Sequence, residues 1–341
     1  MNVGIAAPLS IAGVTGGVRT QVFQTMAQLQ NLGVNVEMIR ADQSHFDYDL
    51  VHIFTASPDT LGIAKTVRDA GIKLVVSPVF FSTRSARIIS ASLSIEKLLT
   101  KLGSGIRSDF GIKSQICHWA DQVLPNTESE LALVRDGFGI KSEKLLKIPN
   151  GVESRFADAS PELFMQNHFK KDFVLFAGQA GAPRKNVKLL LQAAPHINGS
   201  IVIIGDFYDT HYSHECVRLA QKVDNVLLIE TQEHDSPLLE SAYAACKVFA
   251  LPSLYETPGI AAMEAGLTGA NIVITSEGGT REYFGNHAQF ISPKSVTGLV
   301  SAVNKALELE RNVALKPHIL EKYTWEIVAQ KTLHVYRQLL N

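Results

Sequence analysis

The segment Leu251-Pro-Ser-Leu-Tyr-Glu-Thr-Pro-Gly-Ile-Ala-Ala-Met-Glu-Ala-Gly266 runs from the end of an apolar strand into a helix. Pro258 and Gly259 are predicted to open that helix, because proline fits a first helical turn and glycine lets a ligand approach the backbone. The amides after Glu256 are therefore placed to meet an anion. Glu264, two turns along, can accept two hydrogen bonds from a vicinal diol. From spacing alone, the other interpretation is that each glutamate is an exposed surface residue.

Short β-branched runs alternate with amphipathic stretches on both sides of this segment, a pattern typical of parallel sheets covered by helices. A first series opens with the strand Val3–Pro8, and a second opens with the strand Phe173–Ala177. The polar stretch Asp158–Asp172 separates the two series and is the predicted linker. Because 341 residues exceed the usual size of one domain, we predict an α/β protein with two Rossmann-like domains.

Local signals also predict where two helices begin. Ser57 and Pro58 supply a capping hydroxyl and a first-turn proline, which are common at helix N-termini. Thr127, with Glu130 three residues later, predicts a capping box in which each side chain binds the backbone amide of the other residue.

The composition argues against several classes of protein. Lys+Arg 32 against Asp+Glu 33 gives a net charge of -1, which is far from the basic surface that nucleic-acid binding requires. The apolar runs are too short to span a bilayer, and the first residues lack the basic region of a secretory signal. Three cysteines without Cys-x-x-Cys spacing indicate neither a disulfide framework nor a zinc site. We therefore expect a cytoplasmic protein that does not bind nucleic acid.

Further sequence blocks occur in a fixed order around the glutamate segment. They are Gly16-Gly17, Pro149–Val152, Phe176–Gly178, Arg184–Asn186 and Gly269–Glu282. Together with Glu256 and Glu264, this set resembles the donor-site signature of the retaining GT-B glycosyltransferases of family 4, which are also described as glycosyl transferases group 1. The blocks cover nearly the whole chain.

The resemblance implies the GT-B architecture, in which two Rossmann-like domains face each other across a cleft. Residues 1–160 would bind the acceptor, and residues 170–315 would bind the nucleotide-sugar donor. The C-terminal helix of residues 324–341 would pack back on the first domain. The implied reaction moves a sugar from a UDP- or GDP-sugar to a saccharide, lipid-linked or other acceptor, and it keeps the anomeric configuration.

The resemblance also assigns roles to single residues. Glu264 would hold the ribose hydroxyls, Glu256 a hydroxyl of the donor sugar, and Lys185 the diphosphate. The implied catalytic residues are Glu256, Lys185 and His52. The implied donor site consists of Gly16, Gly17, Gln179, Arg184, Lys185, Glu256, Thr257, Pro258, Gly259, Ile260 and Glu264. A lysine and aligned helix amides can stabilise a leaving diphosphate, so we expect neither a metal nor another cofactor. The other interpretation of Lys185 is a solvated lysine beside Arg184.

The sequence departs from the family pattern at two places. Gln179 stands where relatives have an arginine, so either Arg184 supplies the missing charge or diphosphate binding is weaker. Phe80 and Phe81 stand where relatives have a histidine near the transferred sugar, which leaves that role vacant. Phe80, Phe81 and Arg84 are instead predicted to contact the acceptor.

Residues 84–113 combine basic and apolar side chains. Three interpretations are open from the sequence: an amphipathic helix resting on an anionic membrane, a core-packing helix with a solvated face, or the wall of an acceptor groove.

Other functions share this fold class. No Gly-x-Gly-x-x-Gly follows any predicted strand, which argues against a nicotinamide-dependent oxidoreductase. A sugar-nucleotide 2-epimerase has the same two-domain architecture but needs carboxylates poised for proton transfer or elimination. A non-catalytic, two-lobed sugar-binding protein would normally carry a secretory signal. Both remain alternatives to the glycosyltransferase.

Overall fold

The fold consists of two compact units in a computed structural model that describes residues 1–13, 16–40, 47–103, 105, 107–168 and 170–341. The first unit contains Met1–Gly151 and Trp325–Asn341, and the second contains Val152–Thr324. Each unit has its own parallel sheet with helices between the strands. The predicted α/β class is therefore confirmed.

The first sheet is formed by strands of the amino-terminal half. Its members are β1 Asn2–Ala6, β2 Asn35–Met38, β3 Leu50–Phe54, β4 Lys73–Ser77 and β5 Gln122–Val123, in the order β2-β1-β3-β4-β5. Central strands such as β3 are buried along their whole length, because helices cover both faces of a parallel sheet. The chain reverses its direction of winding between β1 and β3, and Gly16-Gly17 follows β1 at that edge.

The helices of the first unit that precede the second unit begin close to their predicted signals. They are α1 Gly17–Asn31, α2 Pro58–Asp69, α3 Ala86–Lys101, α4 Asp109–Trp119 and α5 Glu128–Ala132. Ser57 is the N-cap of α2, with Pro58 in its first turn. Thr127 caps α5, and its hydroxyl accepts a hydrogen bond from the Glu130 amide at 3.0 Å.

The second sheet is formed entirely by strands of the carboxyl-terminal half. Its members are β6 Val174–Ala177, β7 Ile201–Ile204, β8 Val226–Ile229, β9 Val248–Leu251, β10 Asn271–Thr275 and β11 Ala288–Ile291, in the order β11-β10-β9-β6-β7-β8. All neighbouring pairs are parallel. The winding reverses between β6 and β9, and ligands of open parallel sheets bind at such points.

Among the helices of the second unit, α6 precedes the first strand and the others follow it. They are α6 Glu162–His168, α7 Val187–Ala193, α8 His211–Ala220, α9 Pro237–Ala245, α10 Ile260–Leu267, α11 Thr280–Phe284, α12 Val296–Glu308 and α13 Leu315–Leu320. The stretch Asp158–Asp172, where the sequence places the linker, is part of this unit. Phe164 is buried there, and its amide donates to the Ser241 hydroxyl at 2.9 Å. The change of unit instead falls after Gly151, because the apolar side of α6 is packed into the second core.

The last helix, α14 Trp325–Leu340, belongs to the first unit and packs against α1. Trp325 and Tyr336 are buried in this contact region. A Cβ atom on Gly151 would lie 2.5 Å from the Trp325 ring, so only glycine allows the chain this close to the helix. Among the described residues, no helix combines the length and apolar character needed to cross a membrane.

Candidate functional site

Glu256 is the centre of a buried ionic cluster at the carboxyl ends of β6 and β9. It lies in the loop after β9, with 6% of its surface exposed. Its Oε1 accepts hydrogen bonds from the Ser253 hydroxyl at 2.7 Å and from the Lys185 Nζ at 2.7 Å. Arg184 donates to the same oxygen at 3.3 Å and to the Tyr255 carbonyl at 3.2 Å. The cluster therefore joins one acidic side chain to two basic ones.

The two basic residues keep Glu256 ionised despite its burial. Burial raises the pKa of a carboxyl group, but the nearby charges of Lys185 and Arg184 outweigh this effect and hold the pKa of Glu256 below its ordinary value. Lys185 follows β6 and Glu256 follows β9, so their ion pair spans the point at which the sheet reverses its winding.

The loop that carries Glu256 is held by backbone bonds to the segment after β10. The Glu256 amide donates to the Glu277 carbonyl at 3.1 Å, and the Gly279 amide donates to the Glu256 carbonyl at 2.9 Å. Gly278 has φ +96°, and a Cβ atom there would lie 2.0 Å from the Glu256 carbonyl oxygen. Glycine is thus required at position 278 for both its backbone conformation and its close approach.

Glu264 occupies a second buried site, on α10. Its Oε1 lies 2.6 Å from His234 Nε2, and the Tyr243 hydroxyl also donates to its carboxylate. The other ring nitrogen of His234, Nδ1, lies 3.1 Å from Glu153 Oε2. Only 2% of the Glu264 surface is exposed. The two glutamates that the sequence singles out are therefore both buried, and the surface interpretation is wrong for each.

The residues between the two glutamates form a continuous turn into α10. Thr257 and Ile260 are half-buried, whereas Pro258 and Gly259 are buried. The helix begins at Ile260 and not at Pro258, because Gly259 is the N-cap in the left-handed conformation at φ +76°. Gln179 lies at the end of β6 and is half-buried.

Gly16 and Gly17 lie in the first unit. Gly16 is the N-cap of α1, and Gly17 is the first helical residue. The two residues that precede them, 14 and 15, lie outside the described part of the chain. The role of this turn in binding a diphosphate stays a prediction.

His52 has the surroundings of a structural residue. It lies in the centre of β3, paired with Ile5 and Val75 on the neighbouring strands, and is 1% exposed. Its ring nitrogens lie 2.6 Å from the Tyr336 hydroxyl and 2.9 Å from the Ser77 hydroxyl. Burial lowers its pKa to about 3, so the ring is neutral. The active-site role given to His52 is not supported by this position, because the ring is enclosed by its own core.

Phe80 is also a core residue and not an exposed acceptor contact. It is 6% exposed, and its ring packs on Phe138 at 4.9 Å and on Phe110 at 6.0 Å between centroids. Phe81 is half-buried, and Arg84 is exposed with its guanidinium 5.7 Å from the centre of the Phe110 ring. Phe80 turns inward because the end of β4 is covered by α4 and the turn after α5.

Two residues near Glu264, His234 and Glu153, were not predicted from the sequence. Neither belongs to a local motif, since they lie 30 and 111 positions before Glu264. The available signal was the position of His234 in the loop after β8, at the edge where ligands of parallel sheets bind. In the described part of the chain, no group of three or more His, Cys, Asp and Glu side chains is arranged to hold a metal ion.

Comparison with known proteins gives the class. Residues 161–324 match the family described as glycosyl transferases group 1. Sucrose-phosphate synthase from Thermosynechococcus elongatus superposes with a TM-score of 0.78 at 17% identity, over 99% of both chains. Anabaena HepE, solved in complex with UDP, superposes with a TM-score of 0.74 at 16% identity, over 99% of this chain and 100% of that chain. The chain therefore has the GT-B fold, and its second unit is similar to glycosyl transferases group 1.

Relatives found by sequence have higher identity but align over a smaller part of the chain. An uncharacterised glycosyltransferase of Methanocaldococcus jannaschii is 26% identical over 63% of this chain and 60% of its own length. The mannosylfructose-phosphate synthase of Agrobacterium fabrum is 26% identical over 66% of this chain and 56% of its own length. The chain thus spans less than two thirds of the length of these relatives.

Proposed function

We propose that the protein is a retaining glycosyltransferase that moves a sugar from a UDP- or GDP-sugar to a saccharide or lipid-linked acceptor, and that its second unit binds the donor. Several relatives support this class of reaction. Anabaena HepE has been solved in complex with UDP-glucose, and the Agrobacterium relative is a mannosylfructose-phosphate synthase. Transfer with retention needs a donor site that can stabilise a leaving diphosphate close to the reacting sugar.

The observation that carries the proposal is the buried ion pair between Glu256 and Lys185 at the carboxyl edge of the second sheet. The Lys185 Nζ has three hydrogens, and Glu256 Oε1 accepts one of them at 2.7 Å. The remaining donors can bind a diphosphate, while the buried Glu256 carboxylate can accept a hydrogen bond from a sugar hydroxyl. Glu264, further along α10, is the proposed ligand of the ribose diol.

Gln179 stands where the family pattern has an arginine, and we propose that Arg184 supplies the missing positive charge. Its side chain is 39% exposed and is oriented by bonds to Glu256 and to the Tyr255 carbonyl. A guanidinium in this position can donate to a phosphate through its remaining N–H groups. We propose that Lys185, Arg184 and helix amides together stabilise the leaving diphosphate without a divalent metal. Activity that is lost in EDTA and restored by Mg²⁺ or Mn²⁺ would contradict this part of the proposal.

The two glutamates give a sharp test. Glu264→Ala should weaken the binding of UDP or GDP by roughly 1.5–3 kcal/mol, the contribution of a charged hydrogen bond. Glu256→Ala should leave nucleotide affinity nearly unchanged, because the proposed ligand of Glu256 is a hydroxyl of the transferred sugar and not the nucleotide. It should nevertheless lower turnover about 100-fold, since the lost contact acts on the sugar in the transition state. Calorimetry with UDP and GDP, and nucleotide release from candidate nucleotide-sugars, measure the two effects.

The exposed Glu308, at the end of α12, provides the matched control. Glu308→Ala should change neither affinity nor turnover. The donor-site assignment fails if both site variants retain full nucleotide affinity and turnover. Conversion of the nucleotide-sugar to an epimer, without release of the nucleotide, would instead favour the 2-epimerase.

We propose that helix α3 contacts an anionic membrane surface, where a lipid-linked acceptor would lie. One side of the helix is buried through Ile89 and Leu93. The helix and Leu102, which directly follows it, also expose large apolar side chains beside basic ones: Ile88, Ile95, Leu98, Leu102, Arg87, Lys97 and Lys101. An apolar strip between cations complements the interface of an anionic bilayer. Residues 104 and 106 of the predicted segment lie outside the described residues.

Vesicle binding tests this contact. The protein should sediment with vesicles containing phosphatidylglycerol and remain in solution with pure phosphatidylcholine. The double variant Leu98→Asp, Leu102→Asp should lower the partition coefficient by about tenfold or more, because charged side chains oppose burial in the interface. Leu9→Asp, which changes an equally apolar residue that is 83% exposed outside this helix, should bind like the wild type. Equal sedimentation of the double variant would contradict the proposal.

A further inference from the structure

Asn186 connects three loops at the carboxyl edge of the second sheet. It lies in the loop after β6, directly after Lys185. Its side-chain Nδ2 donates to the Pro252 carbonyl at 3.0 Å and to the Pro293 carbonyl at 2.9 Å. Pro252 follows β9, and Pro293 follows β11. Because a side-chain amide has two hydrogens to donate, this one side chain joins the loops that follow three strands.

The backbone of Asn186 does not by itself require an asparagine. Its φ of +55° and ψ of 36° lie in the left-handed region, which glycine adopts without strain. Asn186 is the N-cap of α7, but its side chain forms no capping hydrogen bond with that helix. Glycine would therefore suit both the backbone and the helix. What the asparagine adds is the pair of bonds to the other two loops.

The two residues before Asn186 also contact the loop after β9. The Arg184 carbonyl accepts a hydrogen bond from the Leu254 amide at 2.8 Å, and the Lys185 Nζ donates to Glu256 Oε1 at 2.7 Å. Three consecutive residues thus reach the same loop. Because a lysine side chain is a flexible four-carbon stem, its Nζ is well placed only when its backbone is fixed. The contacts of the residues on either side of Lys185 provide this.

The bond to Pro293 adds an anchor from a more distant strand. In the sheet, β11 is separated from β6 by β10 and β9. Pro252 and Pro293 are both buried, and a buried carbonyl group that loses its donor raises the free energy of the folded state. A shift of any one of the three loops would therefore break a bond to Asn186.

We propose that Asn186 is a positioning residue that holds Lys185 in place for the leaving diphosphate by joining the loops after β6, β9 and β11. The inference rests on the proposed function, in which Lys185 binds the diphosphate. Negative charge develops on the diphosphate as the sugar departs, and an ammonium group that is already in position stabilises this charge without reorganisation. Loss of the Asn186 side chain should therefore affect the reaction more strongly than nucleotide binding.

The test replaces Asn186 with glycine, which keeps the left-handed backbone and removes both bonds. Asn186→Gly should lower turnover about 10- to 100-fold, because a displacement of about 1 Å is enough for such a loss. Affinity for UDP and GDP should fall by less than about threefold, since Glu264 still binds the ribose in the ground state. Nucleotide release from candidate nucleotide-sugars and calorimetry with UDP and GDP measure the two quantities.

Asn225 provides the matched control, because it makes the same kind of contacts at the opposite edge of the same sheet. It directly precedes β8, and its Nδ2 donates to the carbonyls of Ala194 at 2.9 Å and Gly199 at 3.1 Å, both before β7. Asn225→Gly should lower the midpoint of urea unfolding. Its turnover should stay within about twofold of the wild type, because the lost bonds do not reach Lys185.

Asn186→Asp is a second variant, which keeps the size of the side chain and its tolerance of the left-handed conformation. A carboxylate only accepts hydrogen bonds, so it would face two carbonyl oxygens without a hydrogen to donate. Turnover should fall at least as far as in Asn186→Gly. Asn225→Asp, with the same change at the other edge, should keep turnover within about twofold of the wild type.

Hydrogen exchange gives a readout that needs no nucleotide. The Leu254 amide donates to the Arg184 carbonyl, so its exchange rate reports the contact between the loops after β6 and β9. This amide should exchange about tenfold faster in Asn186→Gly, because local opening of the two loops becomes easier. In Asn225→Gly it should exchange at the wild-type rate.

The outcomes separate this inference from the function on which it rests. If the wild type releases nucleotide from a nucleotide-sugar and Asn186→Gly does so at the same rate, the inference is overturned and the donor site stands. Unchanged exchange of the Leu254 amide, an equal loss of turnover in Asn225→Gly, or a loss of nucleotide affinity as large as the loss of turnover also overturns it. If the wild type neither binds UDP or GDP nor releases nucleotide, the proposed function fails, and the inference fails with it.

Discussion

Buried ionisable side chains at the carboxyl edges of the two sheets have different kinds of hydrogen-bond partner. At the first sheet, the Glu130 carboxylate accepts hydrogen bonds from the amides of Phe80 at 2.6 Å and Asn126 at 2.7 Å. At the second sheet, the Glu256 carboxylate accepts its bonds from Lys185, Arg184 and a serine hydroxyl. The first glutamate thus has neutral partners, and the second has cationic partners.

This difference in partners decides which residues stay charged. Burial raises the pKa of Glu130 to about 7, although its two amide bonds oppose the shift. Burial likewise lowers the pKa of His52 to about 3. In the second unit, charged neighbours outweigh burial, so the pKa of Glu256 is lowered and that of His234 is raised. Burial alone therefore does not predict charge; the partner does.

The contrast fits the proposed division of labour. Fixed charges at the edge of the second sheet suit a site that binds a diphosphate and stabilises its departure. The edge of the first sheet, with groups that tend toward neutrality, suits an acceptor hydroxyl.

The largest effect is expected from removing a charge at the second edge. Lys185→Met should lower turnover of the donor by about 100- to 1,000-fold, because it removes the cation nearest to the proposed diphosphate. Nucleotide release from the donor sugar measures the loss. Lys188→Met is the matched control, since Lys188 lies three positions later and pairs with Glu215 at 2.6 Å. Unchanged turnover in Lys185→Met would show that the charged edge has no part in the reaction.

A smaller effect is expected on stability at the first edge. Glu130→Gln should lower the free energy of unfolding by about 2–3 kcal/mol, because the new amide hydrogens face a backbone N–H and leave it without an acceptor. Urea unfolding measures the change. Glu128→Gln, which alters an exposed side chain paired with Lys147, should cost less than about 1 kcal/mol. Equal losses in both variants would mean that Glu130 contributes no more to the free energy of unfolding than an exposed glutamate does.

The smallest effect concerns the pH dependence that His52 adds to stability. Its folded pKa lies below its unfolded value, so the folded state binds fewer protons, and stability falls as the pH is lowered below about 6.5. Between about pH 7 and pH 5, this residue alone should cost about 2 kcal/mol. Urea unfolding of the wild type and His52→Gln at both pH values measures it.

Acidification changes the protonation of Glu130 as well, and its effect on the free energy of unfolding has the opposite sign. This effect is the same in the wild type and in His52→Gln, so it cancels when the two proteins are compared. The variant should lose about 2 kcal/mol less than the wild type on acidification. The same loss in both proteins would contradict a neutral, buried His52.

Much of the fold was predictable because parallel sheets leave a strong sequence pattern. The strand–helix alternation indicated two α/β series, and the start of α2 at Pro58 followed from its cap. The linker was not predictable from polarity, because the buried side chain of Phe164 attaches that stretch to the second core.

The site was predictable in part. The spacing of Glu256 and Glu264 marked both as candidates, and the structure buries both. The sequence did not predict that His234 would contact Glu264, because no local pattern links residues 30 positions apart. The active-site role of His52 came from the resemblance, and the structure instead places its ring in the core, in the middle of β3.

The sequence by itself determined the local backbone: apolar periodicity gave strands and helices, and Thr127 set the start of α5. Only the tertiary structure decided which distant groups meet. The Glu130 carboxylate turns away from its own cap to the amide of Phe80, 50 positions earlier, and His52 bonds to Tyr336, 284 positions later. The reason is that periodicity acts within a few residues of chain, whereas the order of strands in the sheet brings remote segments together. A buried group takes whichever partner that order supplies, and its charge follows from the partner.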